Sequence, residues 1–229
     1  MTPAQLPIPI AHVAALGRDD FVVGDANRAA WGLVGSWRDW AAPVAVLAGP
    51  AGSGKSHLLR VFADEAGATL LAGPDLAGRD PLALAGRPVA LDDADAAATD
   101  PAAFFHLVNA VRAAGGRLLA AGRGDAAGWP AARALRDLAS RLRAAQPVRL
   151  GAPDDDLLAR VLVKLFADRQ IDVDRSVIDY LLPRIERSYA AASAIVQRLD
   201  EGSLARGRPL GRGLAAKILA ESHGDEDTE

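Results

Sequence analysis

One glycine-rich octapeptide carries the clearest chemistry in the chain. It fits the pattern G-x-x-x-x-G-K-[S/T] and consists of Gly49, Pro50, Ala51, Gly52, Ser53, Gly54, Lys55 and Ser56. The glycines allow backbone N–H groups to turn toward an anion, and a helix that starts at the loop adds the positive end of its dipole. In this pattern the lysine reaches the β- and γ-phosphates of a nucleotide, and the hydroxyl that follows it binds Mg²⁺. The loop therefore predicts a site for ATP or ADP with Mg²⁺, in which Lys55 binds phosphate, Ser56 binds the metal and His57 is the next contact.

Two carboxylates follow an apolar run at residues 89–91, one βα unit after the glycine loop. We expect Asp92 to hold Mg²⁺ and Asp93 to act as the carboxylate that activates water. Apolar strands that end in aspartate are common, so it is the position after the first motif that indicates a functional role. The two motifs together predict a nucleotide site with carboxylates that could take part in hydrolysis.

The elements that must position these motifs alternate between strands and helices. Short apolar runs predict strands at residues 44–48, 69–71, 88–92, 117–121 and 147–150. Apolar residues at helical spacing predict helices between them, most clearly at residues 27–37, 55–65 and 101–114. This alternation predicts an α/β domain whose parallel sheet is covered by helices on both sides.

After residue 151 the pattern becomes helical throughout. The apolar residues of segment 154–169 repeat at helical spacing behind three aspartates, which favour a helix N-terminus. Similar patterns follow near residues 177–185, 190–206 and 211–219. We therefore predict a tail at 1–14, a nucleotide-binding domain at 15–151, a small helical lid domain at 152–220 and a flexible acidic tail at 221–229.

Composition excludes several other classes of protein. The chain has 229 residues, of which 50% are hydrophobic and 24% charged, and this is typical of a folded globular protein. It has no cysteine, so disulfides and thiolate metal sites are excluded, and a net charge of −3 argues against DNA binding driven by overall charge. No stretch approaches the roughly 20 apolar residues of a membrane helix. These features predict a cytoplasmic protein that makes no membrane contact.

A helical domain that follows two nucleotide motifs of this kind resembles the AAA+ ATPases, and in particular the group formed by the replication initiator DnaA. Residues 21–27, FVVGDAN, resemble the family segment F-V-V-G-x-x-N. That resemblance implies that Val22, Val23 and Asn27 lie against the nucleotide. Residues 138–142, LASRL, resemble the family segment L-x-S-R-[F/L], whose arginine is presented to the nucleotide of a neighbouring subunit. The resemblance thus implies a catalytic role in trans for Arg141, with the nearby Arg136 and Arg143 as alternatives.

The N-terminal tail contains a second point of resemblance. Its residues Gln5, Leu6, Pro7, Ile8, Pro9 and Ile10 resemble the Q-L-x-L-P-L peptide that docks on the β sliding clamp (DnaN). The glutamine amide can donate and accept hydrogen bonds, the three aliphatic residues are apolar anchors, and the prolines keep the chain extended. The alternative is a tail that packs against its own domain. The resemblance to DnaA ends before that family's DNA-binding helices, which implies contact with DNA only through the clamp.

Two positions depart from the family pattern. Ala121 stands where the fourth strand of the family ends in a polar residue, and Ala190 stands where the family has an arginine that senses the phosphates. Arg123 and Asp125 are candidates to replace the first group, or are residues of a solvated loop. Arg187 is a candidate for the second if its helix starts early enough to place it on the same face as residue 190.

The resemblance and these departures imply an adaptor with weak or no ATPase activity of its own. We expect it to bind the AAA+ domain of DnaA, to promote hydrolysis of the ATP bound there, and so to limit re-initiation of replication. Head-to-tail self-association is an open alternative. Three other functions compete with this interpretation, namely an AAA+ helicase loader, a P-loop kinase for small molecules and a protein that binds DNA directly.

Overall fold

The computed structural model describes residues 16–226 of the chain, with side chains as far as residue 221. Within this range the chain forms two compact units, which divide between Pro153 and Asp154. The first unit contains the sheet, and the second unit is entirely helical. The sequence pattern changes at the same part of the chain, near residue 151. The clamp-like peptide at residues 5–10 lies outside the described residues.

The first unit is built on a five-stranded parallel sheet. Its strands are β1 (Val44–Ala48), β2 (Thr69–Ala72), β3 (Val89–Asp92), β4 (Leu118–Gly122) and β5 (Gln146–Arg149), in the order β2-β3-β4-β1-β5. The predicted strands agree with these to within one residue at each end. In the register, Ala48 lies opposite both Gly122 of β4 and Arg149 of β5. The carboxyl ends of the central strands therefore meet at one edge of the sheet, which confirms the predicted α/β fold.

Continuous apolar sequence in β3, β4 and β1 explains why these strands occupy the middle of the sheet. A parallel strand that is covered on both faces needs apolar side chains at every position. On one face, Val46 and Leu91 pack in the same core as Phe104. On the other face, Leu47 and Ala121 pack in the same core as Phe62. The edge strand β5 instead alternates between half-buried and exposed residues.

The helices of the first unit cover both faces. They are α1 (Arg28–Gly35), α2 (Lys55–Ala66), α3 (Pro81–Ala85), α4 (Pro101–Ala113), α5 (Pro130–Ala134) and α6 (Arg136–Arg143). Their starts follow ordinary capping chemistry. Asp100, for example, accepts a hydrogen bond from the backbone N–H of Ala103 at 2.8 Å, and proline occupies the next position. Helices α1 and α2 contribute to the core that contains Phe62, and α4 to α6 contribute to the core that contains Phe104.

The second unit consists of α7 (Asp155–Asp168), α8 (Arg175–Leu181), α9 (Tyr189–Arg206) and α10 (Arg212–Glu226). Helices α7 and α9 pack together, and Leu158, Phe166 and Val196 are fully buried. Helix α10 continues through residues 221–226, part of the segment that we expected to be a flexible tail. None of the helices within residues 16–226 combines the length and apolar content needed to cross a bilayer.

A pair of glycine substitutions tests how closely the edge of the sheet is packed. A Cβ atom on Gly122 would lie 2.6 Å from the ring of Trp129, whereas a Cβ atom on Gly32, in the middle of α1, would meet nothing within 4 Å. We expect Gly122→Ala to lower the free energy of unfolding by about 1–3 kcal/mol through overpacking. The matched Gly32→Ala change should raise it by about 0.5–1 kcal/mol through helix propensity. Urea unfolding of both variants measures the difference, and equal effects would contradict the close packing at Gly122.

Candidate functional site

The glycine loop connects β1 to α2, which begins at Lys55. Gly54 directly precedes the helix with φ at 93°, a left-handed conformation that favours glycine. A Cβ atom on Gly49 would lie 2.7 Å from the Ser53 hydroxyl oxygen and 2.9 Å from the Leu150 carbonyl oxygen. The loop is therefore a close-packed turn that delivers its N–H groups to the start of a twelve-residue helix.

Lys55 is the cation of this loop. Its Nζ donates hydrogen bonds to the carbonyl oxygens of Gly49, at 3.0 Å, and Pro50, at 2.7 Å. Burial lowers the pKa of Lys55 below its ordinary value, although the negative charges of Asp92, Asp95 and Asp93 oppose that shift. The ammonium group thus has less water around it than a surface lysine, and it is placed to gain from an anion that binds at the loop.

The loop residues fit a nucleotide phosphate. The Ser53 hydroxyl is buried and has no hydrogen-bond partner among the described residues. An unsatisfied buried hydroxyl is costly, and one beside a set of backbone donors is typical of a loop shaped for a polar ligand. Ser56 lies in the first turn of α2, and in the G-x-x-x-x-G-K-[S/T] pattern the hydroxyl at this position binds Mg²⁺. The described part of the chain contains no cluster of three or more His, Asp or Glu side chains that could hold a metal ion. Phosphate oxygens and water would therefore have to supply the remaining ligands of any Mg²⁺ bound here.

An acidic edge lies at the end of β3. Asp92 is the last residue of the strand, and its Oδ1 accepts a hydrogen bond from the backbone N–H of Asp93 at 2.9 Å. Asp93 itself has φ at 46°, which is uncommon for a residue other than glycine and turns the chain sharply out of the sheet. Only β4 separates β3 from β1, the strand that leads into the glycine loop, so the parallel sheet brings the two predicted motifs to the same edge.

Sequence analysis missed one member of this edge, Asp95. Its side chain is only 10% exposed, and its Oδ2 accepts a hydrogen bond from Nε of Arg123 at 2.7 Å. That bond and the charge of Asp95 raise the pKa of the Arg123 guanidinium. The only signal in the sequence was an aspartate two residues after the predicted pair. Asp125, by contrast, caps a short 3₁₀ turn, in which its Oδ1 accepts from the Ala127 N–H at 3.3 Å.

The segment at residues 21–27 folds beside α2. The ring of Phe21 makes an edge contact with the imidazole of His57, with ring centres 5.1 Å apart, and the imidazole Nε2 lies 2.9 Å from the Gly17 carbonyl oxygen. Asn27 is 1% exposed. Its amide donates to the Val22 carbonyl at 2.9 Å and accepts from the Gly24 N–H at 2.8 Å. Asn27 therefore shapes the backbone of this segment, while Val22 and Val23 remain half-buried and are the residues predicted to meet the base.

Arg141 lies on the outer face of α6, whose inner face buries Leu138 and Leu142. It lines a groove of about 360 Å³ between α4 and α6, together with Phe105, Arg112, Asp137, Ser140 and Ala144. Arg136 and Arg143 are exposed on the same helix but do not line this groove. Of the three candidate arginines, Arg141 is thus the one that lines this groove.

The two departures from the family pattern take different forms in the structure. Ala121 is fully buried in β4 and offers no polar group to the edge of the sheet. Ala190 lies in the first turn of α9, which begins at Tyr189 behind the cap residue Ser188. Arg187 precedes that cap, so the early helix start that would align it with residue 190 does not occur. Arg187 is instead bound to Asp155 by two hydrogen bonds, of 2.9 and 3.1 Å.

Comparisons with known proteins identify the fold of the chain. No protein-family model and no curated protein matches the sequence. Among solved structures, domain III of Thermotoga maritima DnaA superposes with a TM-score of 0.77 at 14% identity, over 90% of this chain and 96% of that one. The Thermotoga maritima RuvB branch migration motor gives 0.69 at 14% identity, over 90% and 72%. DnaA bound to AMPPCP and single-stranded DNA gives 0.67 at 18% identity, over 82% and 67%. The chain therefore has the AAA+ P-loop fold that these proteins share.

The environment of Lys55 leads to a prediction about stability. Burial of the ammonium opposes folding at neutral pH, so Lys55→Met should leave the thermal midpoint of the protein without nucleotide unchanged or slightly raised. The wild type should gain stability with Mg-ATP, by about 2.7 kcal/mol at one hundred times Kd, and the variant should gain none. Differential scanning fluorimetry with and without nucleotide measures both effects. Equal stabilisation of the two proteins by Mg-ATP would contradict the assignment of Lys55 to the phosphates.

Proposed function

We propose that this protein is a nucleotide-binding AAA+ adaptor that inactivates the replication initiator DnaA. It binds ATP or ADP with Mg²⁺ at residues 49–56, docks on the β sliding clamp through residues 5–10, and promotes hydrolysis of ATP held by DnaA. In this role it resembles Hda, the regulatory inactivator of DnaA. The observation that carries the proposal is the glycine loop before α2, in which Lys55 Nζ is held by the Gly49 and Pro50 carbonyls and the buried Ser53 hydroxyl has no partner among the described residues.

Nucleotide binding is the best supported part. The loop has the turn, the half-buried cation and the unsatisfied Ser53 hydroxyl that a phosphate would complete. Two of the similar DnaA structures contain the ATP analogue AMPPCP. We assign phosphate binding to the loop N–H groups and Lys55, and Mg²⁺ binding to Ser56 and Asp92. Bound Mg²⁺ would neutralise part of the phosphate charge.

Hydrolysis by this chain itself should be slow. Asp93 supplies a carboxylate at the end of β3, but Ala121 provides no polar group on the neighbouring strand and Ala190 provides no cation in α9. Removing a preorganised polar group from a site of phosphoryl transfer typically costs two to three orders of magnitude in rate. A protein with such a site holds its nucleotide rather than turning it over.

Action on DnaA requires a group that reaches a second protein, and we assign this role to Arg141. An arginine supplied in trans is worth about 10³ to 10⁵ in rate in other NTPases. Arg141 is exposed, and the groove beside it contains a second arginine and the aromatic ring of Phe105. Aromatic and arginine side chains are the types that most often anchor protein interfaces. The clamp contact rests on the residue pattern of the N-terminal peptide alone.

The test is the rate at which ATP preloaded on DnaA is hydrolysed, with and without this protein and DNA-loaded clamp. We expect acceleration that needs the clamp and falls at least tenfold in Gln5→Ala and in Arg141→Ala. Arg143→Ala is the matched control, because Arg143 is an exposed arginine on the same helix outside the groove. It should retain the acceleration.

Three outcomes would change the assignment. A loss in Arg143→Ala with full activity in Arg141→Ala would move the trans-acting role to Arg143. Acceleration without the clamp would remove the role of residues 5–10. No acceleration by a protein that binds nucleotide would overturn the adaptor function and favour a helicase loader, which a pull-down against replicative helicase and clamp would detect.

A further inference from the structure

A cleft of about 320 Å³ lies at the amino ends of β3 and β4. Arg87 and Pro88 directly precede β3, and Gly116 and Arg117 directly precede β4, so the cleft is at the edge of the sheet opposite the glycine loop. Two residues of the 3₁₀ turn Trp37–Asp39 also line it. A strand of five residues spans about 16 Å, so this cleft is separate from the proposed nucleotide site.

Three arginines and no acidic residue line the cleft, namely Arg38, Arg87 and Arg117. Within the described residues none of the three forms an ion pair with a carboxylate. Asp39 is adjacent to Arg38 in the chain but does not line the cleft. A cleft lined by one sign of charge concentrates its electric field and attracts a ligand of the opposite sign. The charge of this cleft is therefore complementary to an anion.

Arg117 is held in place by backbone carbonyl groups. Its Nε donates a hydrogen bond to the Trp37 carbonyl at 3.2 Å, and its Nη2 donates to the Arg38 carbonyl at 3.0 Å. Its Nη1 donates to the Gly116 carbonyl at 3.2 Å. A guanidinium carries five N–H groups, so two of them are left for a ligand. Arg117 thus ties the 3₁₀ turn to the start of β4 and keeps a positive charge fixed in the cleft.

The other polar groups of the cleft have donors that the described residues leave unused. The guanidinium carbon of Arg38 lies 4.2 Å from the centre of the Trp37 ring, and Arg87 is exposed. Neither arginine side chain donates a hydrogen bond to another of the described residues. The indole N–H of Trp37 is buried and likewise has no acceptor there, which is uncommon for a buried donor. A ligand with several acceptor oxygens would suit these groups.

We propose that this cleft binds an acidic segment of a partner protein, whose carboxylates are held by Arg38, Arg87 and Arg117. Guanidinium groups suit this ligand because each can donate two parallel hydrogen bonds to one carboxylate. Single-stranded nucleic acid is bound along grooves that follow several phosphates and stack bases on aromatic faces. Here the three arginines surround one compact cleft, and Arg38 already covers a face of the Trp37 ring. An acidic peptide therefore fits better than a nucleic acid strand.

Fluorescence anisotropy with a labelled hexaglutamate peptide tests this inference, with hexaglutamine as the uncharged comparison. We expect wild type to bind hexaglutamate at least tenfold more tightly than hexaglutamine at an ionic strength of about 0.1 M. Arg38→Ala and Arg87→Ala should each weaken binding of hexaglutamate by about threefold to tenfold, since each removes a hydrogen bond between charged groups. Arg38→Ala also removes the stack on Trp37. Arg87→Ala has no such contact to lose, so it gives the test if Arg38→Ala fails to fold.

The matched control is a double variant that carries Arg133→Ala and Arg143→Ala. Both arginines are exposed in the same unit and lie outside the cleft. This variant loses the same net charge as the double variant of Arg38 and Arg87. It should bind hexaglutamate within twofold of wild type, whereas the double variant of the cleft should bind about tenfold more weakly or worse.

The proposal fails if wild type binds hexaglutamate no better than hexaglutamine. It also fails if the control variant weakens binding as much as the double variant of the cleft, because that result indicates general attraction by exposed arginines. A labelled strand of twelve thymidine nucleotides serves as the nucleic acid probe. If that strand binds more tightly than hexaglutamate and loses affinity in the cleft variants alone, the ligand of the cleft is nucleic acid and the acidic segment is excluded.

Discussion

The site depends on a half-buried lysine at the start of the helix that follows the buried strand β1. The fold compensates for this burial with the carbonyl oxygens of Gly49 and Pro50 and with the carboxylates that follow β3. The parallel sheet brings the carboxyl ends of β1 and β3 to the same edge, and its strand order leaves only β4 between them. The fold thus positions the Lys55 ammonium group to bind an anion.

Sequence reasoning found the parts of this arrangement that local pattern determines. The glycine loop and the five strands could be predicted because each is a short run of characteristic residues. The Asp95–Arg123 pair could not, since it spans 28 residues and exists because β3 and β4 are neighbours. Nor could the bond between Arg187 and Asp155, which spans 32 residues. Helices α3 and α5, of five residues each, are too short to show a helical period and were missed.

Small residues at the edge of the sheet are as important as the charged ones. Gly122 allows the ring of Trp129 to lie against β4, and the indole N–H of that ring then fixes the carbonyl of Arg123. Gly49 likewise allows the loop to close onto Ser53 and Leu150. A side chain at either glycine would displace the residues that set the direction of a functional group. Close packing therefore connects the stability of this edge with its ability to orient charges.

The apolar side chain of Ala121 affects what such a site can do. A preorganised polar group accelerates a reaction when it stabilises charge that appears only in the transition state. Interactions that are equal in ground and transition states increase binding and leave the chemical step unchanged. The loop N–H groups and Lys55 would attract phosphate charge that is present before reaction, whereas the buried Ala121 offers no polar side chain to charge that develops later. The edge of the sheet is therefore better suited to holding a phosphate anion than to accelerating its transfer.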